Sequence, residues 1–74
     1  IEIFPNPVSN LLNFQNINEN VSLELFDFMG NSIFKHLNKE NINSYAFDLS
    51  HNTPGIYFLR INNRITKTII KIKI

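Results

Sequence analysis

Three residues near the middle of the chain have the side chains of a hydrolase triad: Asp48, Ser50 and His51. A triad needs an acid, a base and a nucleophile whose side chains converge on one point. Near-neighbours at the end of an extended strand point in alternating directions, so we expect these three side chains to diverge. We therefore predict that the domain is not an enzyme and has no catalytic residue.

The sequence also lacks the residue patterns that bind a metal ion or a nucleotide. His36 and His51, taken with Asp27 or Asp48, do not show metal-ligand spacing, and the chain has no cysteine. There is no glycine-rich loop that could hold a phosphate. We expect no metal and no cofactor, and we expect Asp27 to cap a hairpin turn through its side chain.

Composition limits the remaining functions. A chain of 74 residues is one small domain with a thin core, and 43% hydrophobic content with seven phenylalanines is enough to pack it. The net charge of +1 argues against electrostatic capture of nucleic acid or of an anionic membrane. The longest apolar run is far too short to cross a bilayer. We expect no nucleic acid partner and no direct membrane insertion.

Apolar residues alternate with polar ones along most of the chain, which is typical of half-buried strands. Turn residues separate the alternating segments at intervals of about 8–12 residues, and no segment has helical periodicity. This pattern predicts an all-β sandwich. The strands are expected at 1–4, 11–14, 21–27, 32–37, 44–49 and 55–61, followed by a last strand that ends at Ile74.

The last twenty residues read as a hairpin. Gly55 opens a strand whose Tyr57 packs as a core or edge aromatic, and Asn62-Asn63 forms the turn, since Asn tolerates left-handed backbone. On the return strand Lys67, Lys71 and Lys73 share one face with Ile65 and Ile69, and the even-numbered residues share the other. We expect the lysines to form a solvated face. If this strand lies at a sheet edge, its unpaired backbone groups could accept a partner strand.

Earlier in the chain, proline and glycine mark the breaks. Pro5 and Pro7 flank Asn6 and end the first strand, because each fixes φ and lacks an N–H; an edge position or a switch between sheets fits best. Gly30 is expected at a positive φ in the turn that follows Asp27.

These local features follow one another in a fixed order, from Phe4-Pro5-Asn6-Pro7 to the alternating Lys and Ile residues of 67–74. Between them lie a strand that ends in Asp27-Phe28-Met29-Gly30, the segment Asp48-Leu49-Ser50, and Gly55-Ile56-Tyr57. Together they resemble the type A C-terminal sorting domain of the type IX (Por) secretion system of Bacteroidetes. The resemblance covers essentially the whole chain, although Phe4 and Asn31 stand where the family pattern has Tyr and Lys.

The resemblance implies an immunoglobulin-like antiparallel β-sandwich of about seven short strands. It implies a secretion signal at the C-terminus of a cargo protein, which passes through the periplasm and is then secreted or held on the cell surface. The implied partners are type IX translocon components and a sortase-like cell-surface peptidase. Residues 1–74 are expected to be a single domain excised from the end of a longer secreted protein.

The candidate recognition residues are drawn from these motifs. They are Pro5, Asn6, Pro7, Asp27, Gly30, Gly55, Tyr57, Lys67, Lys71 and Lys73.

Other function classes stay open at this point. An adhesive or carbohydrate-binding sandwich would display clustered aromatics, and Phe26, Phe28 and Phe34 are placed to form such a cluster around one hairpin. Nucleic-acid binding through the basic last strand is weaker because of the low net charge. The sequence leaves open the cargo, the cleavage site and the oligomeric state, and also which surface the translocon recognises.

Overall fold

The computed structural model of the protein describes residues 1–18, 20–39 and 42–73. Within these ranges the regular structure is all strand, and no helix is long and apolar enough to cross a membrane. The seven strands are β1 (Glu2–Phe4), β2 (Leu11–Gln15), β3 (Ser22–Asp27), β4 (Ser32–Leu37), β5 (Ser44–Asp48), β6 (Gly55–Ile61) and β7 (Arg64–Lys71).

The strands form two antiparallel sheets. One sheet has the order β1-β2-β5 and the other has the order β4-β3-β6-β7. The chain therefore crosses between the sheets after β2, after β4 and after β5. This is an immunoglobulin-like sandwich in which the fourth strand joins the sheet of the last two strands. It confirms the predicted fold class.

The core consists of side chains that alternate inward from both sheets. Leu12 and Phe14 of β2, Leu23 and Leu25 of β3, and Leu59 of β6 are fully buried, as their alternation predicts. Among the residues that the structure describes, the buried apolar ones are Val8, Leu12, Phe14, Ile17, Leu23, Leu25, Phe47, Leu49, Tyr57, Leu59 and Ile69.

Phe47 connects the two sheets on the side of β4 and β5. Its ring meets Phe14 edge-on at 5.1 Å and stacks on Phe34 at 5.1 Å between ring centroids. Beside this pair, His36 stacks on Tyr45 at 3.6 Å. Tyr45 shares the inward face with Phe47, but it is 39% exposed because β5 is an edge strand.

The turns follow the predicted residue types. Gly30 has φ +89°, and Asn62 and Asn63 have φ +50° and +67°. Both central residues of the β6–β7 turn thus lie in the left-handed region that a two-residue hairpin with the twist of its strands requires.

The last strand differs from the prediction in its end and in its faces. β7 stops at Lys71, so Ile72 and Lys73 lie beyond it, and the predicted end at Ile74 lies outside the described residues. Ile69 pairs with the core residue Tyr57, which turns Ile69 and Lys71 toward the other sheet. The expected solvated lysine face is therefore wrong at Lys71.

The position of Phe47 between the sheets predicts a large loss of stability on truncation. Phe47→Ala should lower the free energy of unfolding by about 3–5 kcal/mol, because it leaves a cavity against Phe14 and Phe34. That is comparable with the whole stability of so small a domain. Urea unfolding followed by circular dichroism measures it. Phe28→Ala is the control: this side chain is 73% exposed, and its loss should cost less than about 0.5 kcal/mol. Equal effects of the two substitutions would contradict the described core.

Candidate functional site at the end of the last strand

The Asn6 side chain binds the outer edge of β7. Its Nδ2 donates to the Thr68 carbonyl at 3.0 Å, and its Oδ1 accepts from the Ile70 amide at 2.9 Å. An amide side chain offers one donor and one acceptor side by side, as a backbone peptide does. Asn6 thus takes the place of a paired strand residue along this edge.

Val8 continues the same pairing with its backbone. Its amide donates to Ile70 O and its carbonyl accepts from Ile72 N, both at 2.8 Å, and it forms a parallel bridge with Lys71. The Val8 side chain is fully buried. We call residues 6–8 the N-terminal clasp, because they join the start of the chain to its last strand.

The prolines explain why the chain leaves the first sheet here. β1 pairs with β2 as far as Phe4, and the next residue, Pro5, has no N–H with which to continue that ladder. After Pro7 the chain runs along β7 in the other sheet. The predicted switch between sheets is therefore what the structure shows.

This pairing changes the expected role of the last strand. β7 is an edge strand in the sheet order, but its outward backbone groups from the Thr68 carbonyl to the Ile72 amide are bonded to the clasp. The edge is thus not open to a partner strand over this stretch. A partner would bind beside the clasp or would have to displace it.

The Asp27 carboxylate organises the turn between β3 and β4. Its Oδ1 accepts from the amides of Met29 at 3.0 Å and Asn31 at 2.9 Å, and its backbone carbonyl accepts from Gly30 N. The hydrogen bond from the Asn31 amide is the main cause of a lowered pKa at Asp27, against the opposing effect of burial. The predicted capping role of Asp27 is confirmed.

Tyr57 lies beside this turn, since it is the β6 partner of Asp27. Its ring is buried, and its hydroxyl donates to the carbonyl of Thr53, four residues earlier. A tyrosine at this point of an immunoglobulin-like sandwich that bonds back to the preceding loop is a tyrosine corner. Burial raises the pKa of the Tyr57 hydroxyl, and the Asp27 carboxylate raises it further.

The three lysines of the last strand have different surroundings. Lys71 is only 5% exposed, and its Nζ donates to the Ile72 carbonyl at 2.7 Å. Lys67 and Lys73 are exposed. Lys71 therefore acts within the fold, and only Lys67 and Lys73 present charge to a partner.

Most of the candidate recognition residues meet at one end of the sandwich. Gly55 pairs with Lys71, Asp27 pairs with Tyr57 in the adjacent strands, and the clasp lies along the other side of β7. Lys67 is set apart, because it pairs with Leu59 farther along the hairpin. The structure thus brings together motifs that are far apart in sequence.

The catalytic constellation does not form an active site. Asp48 Oδ1 accepts from the Ser50 amide at 2.9 Å, and hydrogen bonds from Ser50 are the main cause of a lowered pKa at Asp48. The carboxylate therefore caps a turn. Among the residues that the structure describes, no group of three or more His, Cys, Asp or Glu side chains could hold a metal ion.

The expected aromatic cluster for glycan binding is also wrong. Phe26 lies on the outer face of the four-stranded sheet under Arg60, and Phe28 is exposed in the turn after β3. Phe34 instead pairs with the buried Leu25, turns inward and stacks on Phe47. The alternation of β4 was too irregular for the sequence to reveal this.

Two features were not predicted at all. The first is the pairing of the Asn6 amide with β7, for which the only signal is an asparagine held between two prolines. The second is the burial of Lys71, which nothing in the alternation separates from Lys67 and Lys73.

Comparison with known families agrees with this architecture. The model of the secretion system C-terminal sorting domain matches residues 2–74, nearly the entire chain. No curated protein and no solved structure gives a significant match.

The fold is thus that of a small immunoglobulin-like signal domain, with its sequence motifs gathered around the last strand. The chain belongs to the secretion system C-terminal sorting domain family, whose members are the C-terminal sorting signals for type IX secretion. A domain of this family implies a fused N-terminal cargo, type IX machinery as its partner, and a secreted or cell-surface location. The family is not a catalytic one.

The clasp predicts a specific loss of stability. Asn6→Ala removes both hydrogen bonds to β7 and should lower the free energy of unfolding by about 1–3 kcal/mol. Amide hydrogen exchange should become faster at Ile70, which loses its acceptor. Asn10→Ala is the matched control, since Asn10 is exposed and takes part in the fold through its backbone carbonyl. An unchanged exchange rate at Ile70 would show that the Asn6 amide does not hold the strand.

The Asp27 turn predicts a pH-dependent contribution. Because its folded pKa is lowered, the carboxylate stabilises the fold above its unfolded pKa of about 4, and this stability is lost as pH falls through the folded value. Asp27→Asn should therefore be less stable than the parent protein at pH 7, and the difference should shrink toward pH 2. Urea unfolding across this range measures both proteins. A difference that stays constant with pH would contradict the role of the charge; Phe28→Ala, which removes no titrating group, is expected to show a constant difference.

Proposed function

We propose that the type IX translocon recognises the end of the sandwich where the N-terminal clasp meets β7. The convergence of the separate motifs at this end is the observation that carries the proposal. A signal that must work on different cargoes needs a surface that is formed by the domain itself. This end is formed entirely by residues of the domain, from the clasp to the last strand.

Exposure divides the candidate residues into two groups. Pro5, Asn6, Pro7, Gly55 and Lys73 are exposed, and we assign them to direct contact with the translocon. Lys67 is exposed as well, and we assign it a positive charge that acts from farther along β7, away from the clasp end.

The other candidates act from within the domain. Tyr57 and Lys71 are buried, and Asp27 is committed to its own turn, so we assign them to holding the surface in shape. Gly30 supplies the positive φ that this turn needs.

We place the domain at the C-terminal end of a longer secreted protein, as residues 1–74 of this sequence. The cargo precedes Ile1 and passes through the periplasm with the domain attached. Translocon components then bind the domain, and a sortase-like cell-surface peptidase removes it. No catalytic step and no cofactor is assigned to the domain itself.

Removal of the last five residues tests the proposal. A reporter fused to residues 1–74 should leave a bacterium that has a type IX system, and the same fusion without residues 70–74 should stay in the periplasm. The truncation removes the Ile70 and Ile72 groups that bind the clasp, so circular dichroism of the purified variant must accompany the assay. Normal export of the truncated fusion would contradict the proposed surface.

A second pair of variants separates recognition from folding. Lys67→Glu with Lys73→Glu changes one exposed charge on the proposed surface and one farther along β7, and we expect reporter export to fall at least about tenfold with an unchanged melting temperature. Lys35→Glu with Lys39→Glu makes the same change of net charge at exposed positions away from β7 and should leave export intact. Equal export by the two double variants would place recognition elsewhere.

A further inference from the structure

The two sheets do not have the same number of strands. Three strands face four, and β5 is the outer strand of the smaller sheet on the side away from β1 and the clasp. Phe34 and His36 of β4 stack against Phe47 and Tyr45 of β5 along this side. The place next to β5 is therefore where a further strand would complete the smaller sheet.

The outward backbone groups of β5 can be assigned from its neighbours. The Leu49 amide donates to Asn10 and the Asn43 carbonyl accepts from Ile17, so the odd-numbered residues direct their backbone groups toward β2. The N–H and C=O groups of Ser44, Ala46 and Asp48 consequently point away from the sheet. Within the described ranges, none of these backbone groups has a hydrogen-bond partner.

The other edge strands are protected in ways that β5 is not. β1 is three residues long and is followed directly by Pro5, and the clasp covers β7. β4 has the exposed Lys35 at its centre, and its pairing with β3 contains a register shift. From Ser44 to Phe47, β5 has no charge and no proline, and its register with β2 is continuous.

The sequence of β5 fits a second copy of itself. Antiparallel pairing about Ala46 sets Ala46 against Ala46, Ser44 against Asp48 and Tyr45 against Phe47. The polar pair then lies on the outer face and the aromatic pair on the inner face, and no like charges are opposed. Antiparallel pairing of two β4 strands about the central Lys35 would instead set Lys35 against Lys35.

We propose that the Ser44–Asp48 edge is a self-association surface, through which two copies of the domain pair antiparallel into a continuous six-stranded sheet. This inference goes beyond the sorting function and does not rest on it. The interface lies at the opposite edge of the smaller sheet from β1 and the clasp, so both copies would keep the β7 end accessible. Because a five-residue edge buries little area, we expect a weak dimer with Kd on the order of 0.1 mM.

Sedimentation equilibrium and amide hydrogen exchange of residues 1–74 test the proposal between about 10 μM and 1 mM. We expect dimers at the higher concentration, with protection of Ser44, Ala46 and Asp48 that increases with concentration. Ala46→Lys, which sets two ammonium groups against each other across the two-fold axis, should weaken the dimer at least tenfold. Ala46→Val keeps the edge uncharged and should retain dimerisation.

The outcomes that overturn the proposal are distinct. A domain that remains monomeric at about 1 mM has no self-association surface, even if the edge accepts a strand of another protein. Dimers that survive in Ala46→Lys, or whose new protection lies on β4 or β7, use a different interface. The melting temperature of each variant confirms that the fold is retained. If Ala46→Lys does not fold, Ser44→Lys with an unchanged Ala46 sets the new charge against Asp48 and should strengthen the dimer.

Discussion

The pairing between the N-terminal clasp and the last strand is the constraint on which the rest of this structure depends. β1 belongs to one sheet and β7 to the other, and the chain between Pro5 and Val8 is what connects β1 to the edge of β7. The chain has no cysteine, so no disulfide holds the two ends of this small domain together. Hydrogen bonds from the Asn6 side chain and the Val8 backbone take that role, and the buried Val8 side chain adds apolar contact beneath them.

The position of the clasp shapes the surface that we propose for recognition. β7 is the last strand of a small sandwich, and the chain segment that follows β1 lies directly against it. The surface that we propose for recognition therefore depends on the clasp and β7 having folded together. A translocon that binds there would select folded domains over unfolded ones, because the clasp and β7 are adjacent only in the native state.

The two sides of the sandwich differ in whether the outward backbone groups of their edge strands are hydrogen-bonded. On the side of β7 the clasp satisfies the outward backbone groups, whereas on the side of β5 those groups have no described partner. Aromatic stacking between β4 and β5 covers the core on that side, but it does not provide hydrogen-bond partners for the outward backbone groups of β5. Edge strands of similar sheet position thus differ in what they offer to other molecules, and the difference lies in backbone pairing rather than in hydrophobicity.

The sequence by itself determined the strands, most inward faces and the turns. Alternation and turn chemistry are local, so Leu23 and Leu25 could be placed in the core and Gly30, Asn62 and Asn63 at positive φ without knowledge of any partner. The ordered motifs also sufficed to identify the family. Only the tertiary structure decided that Phe34 faces inward, that Lys71 is buried, and that Asn6 binds Thr68 and Ile70. Those outcomes depend on contacts between strands, and for Asn6 and Lys71 on contacts between residues more than sixty positions apart, which no local pattern encodes.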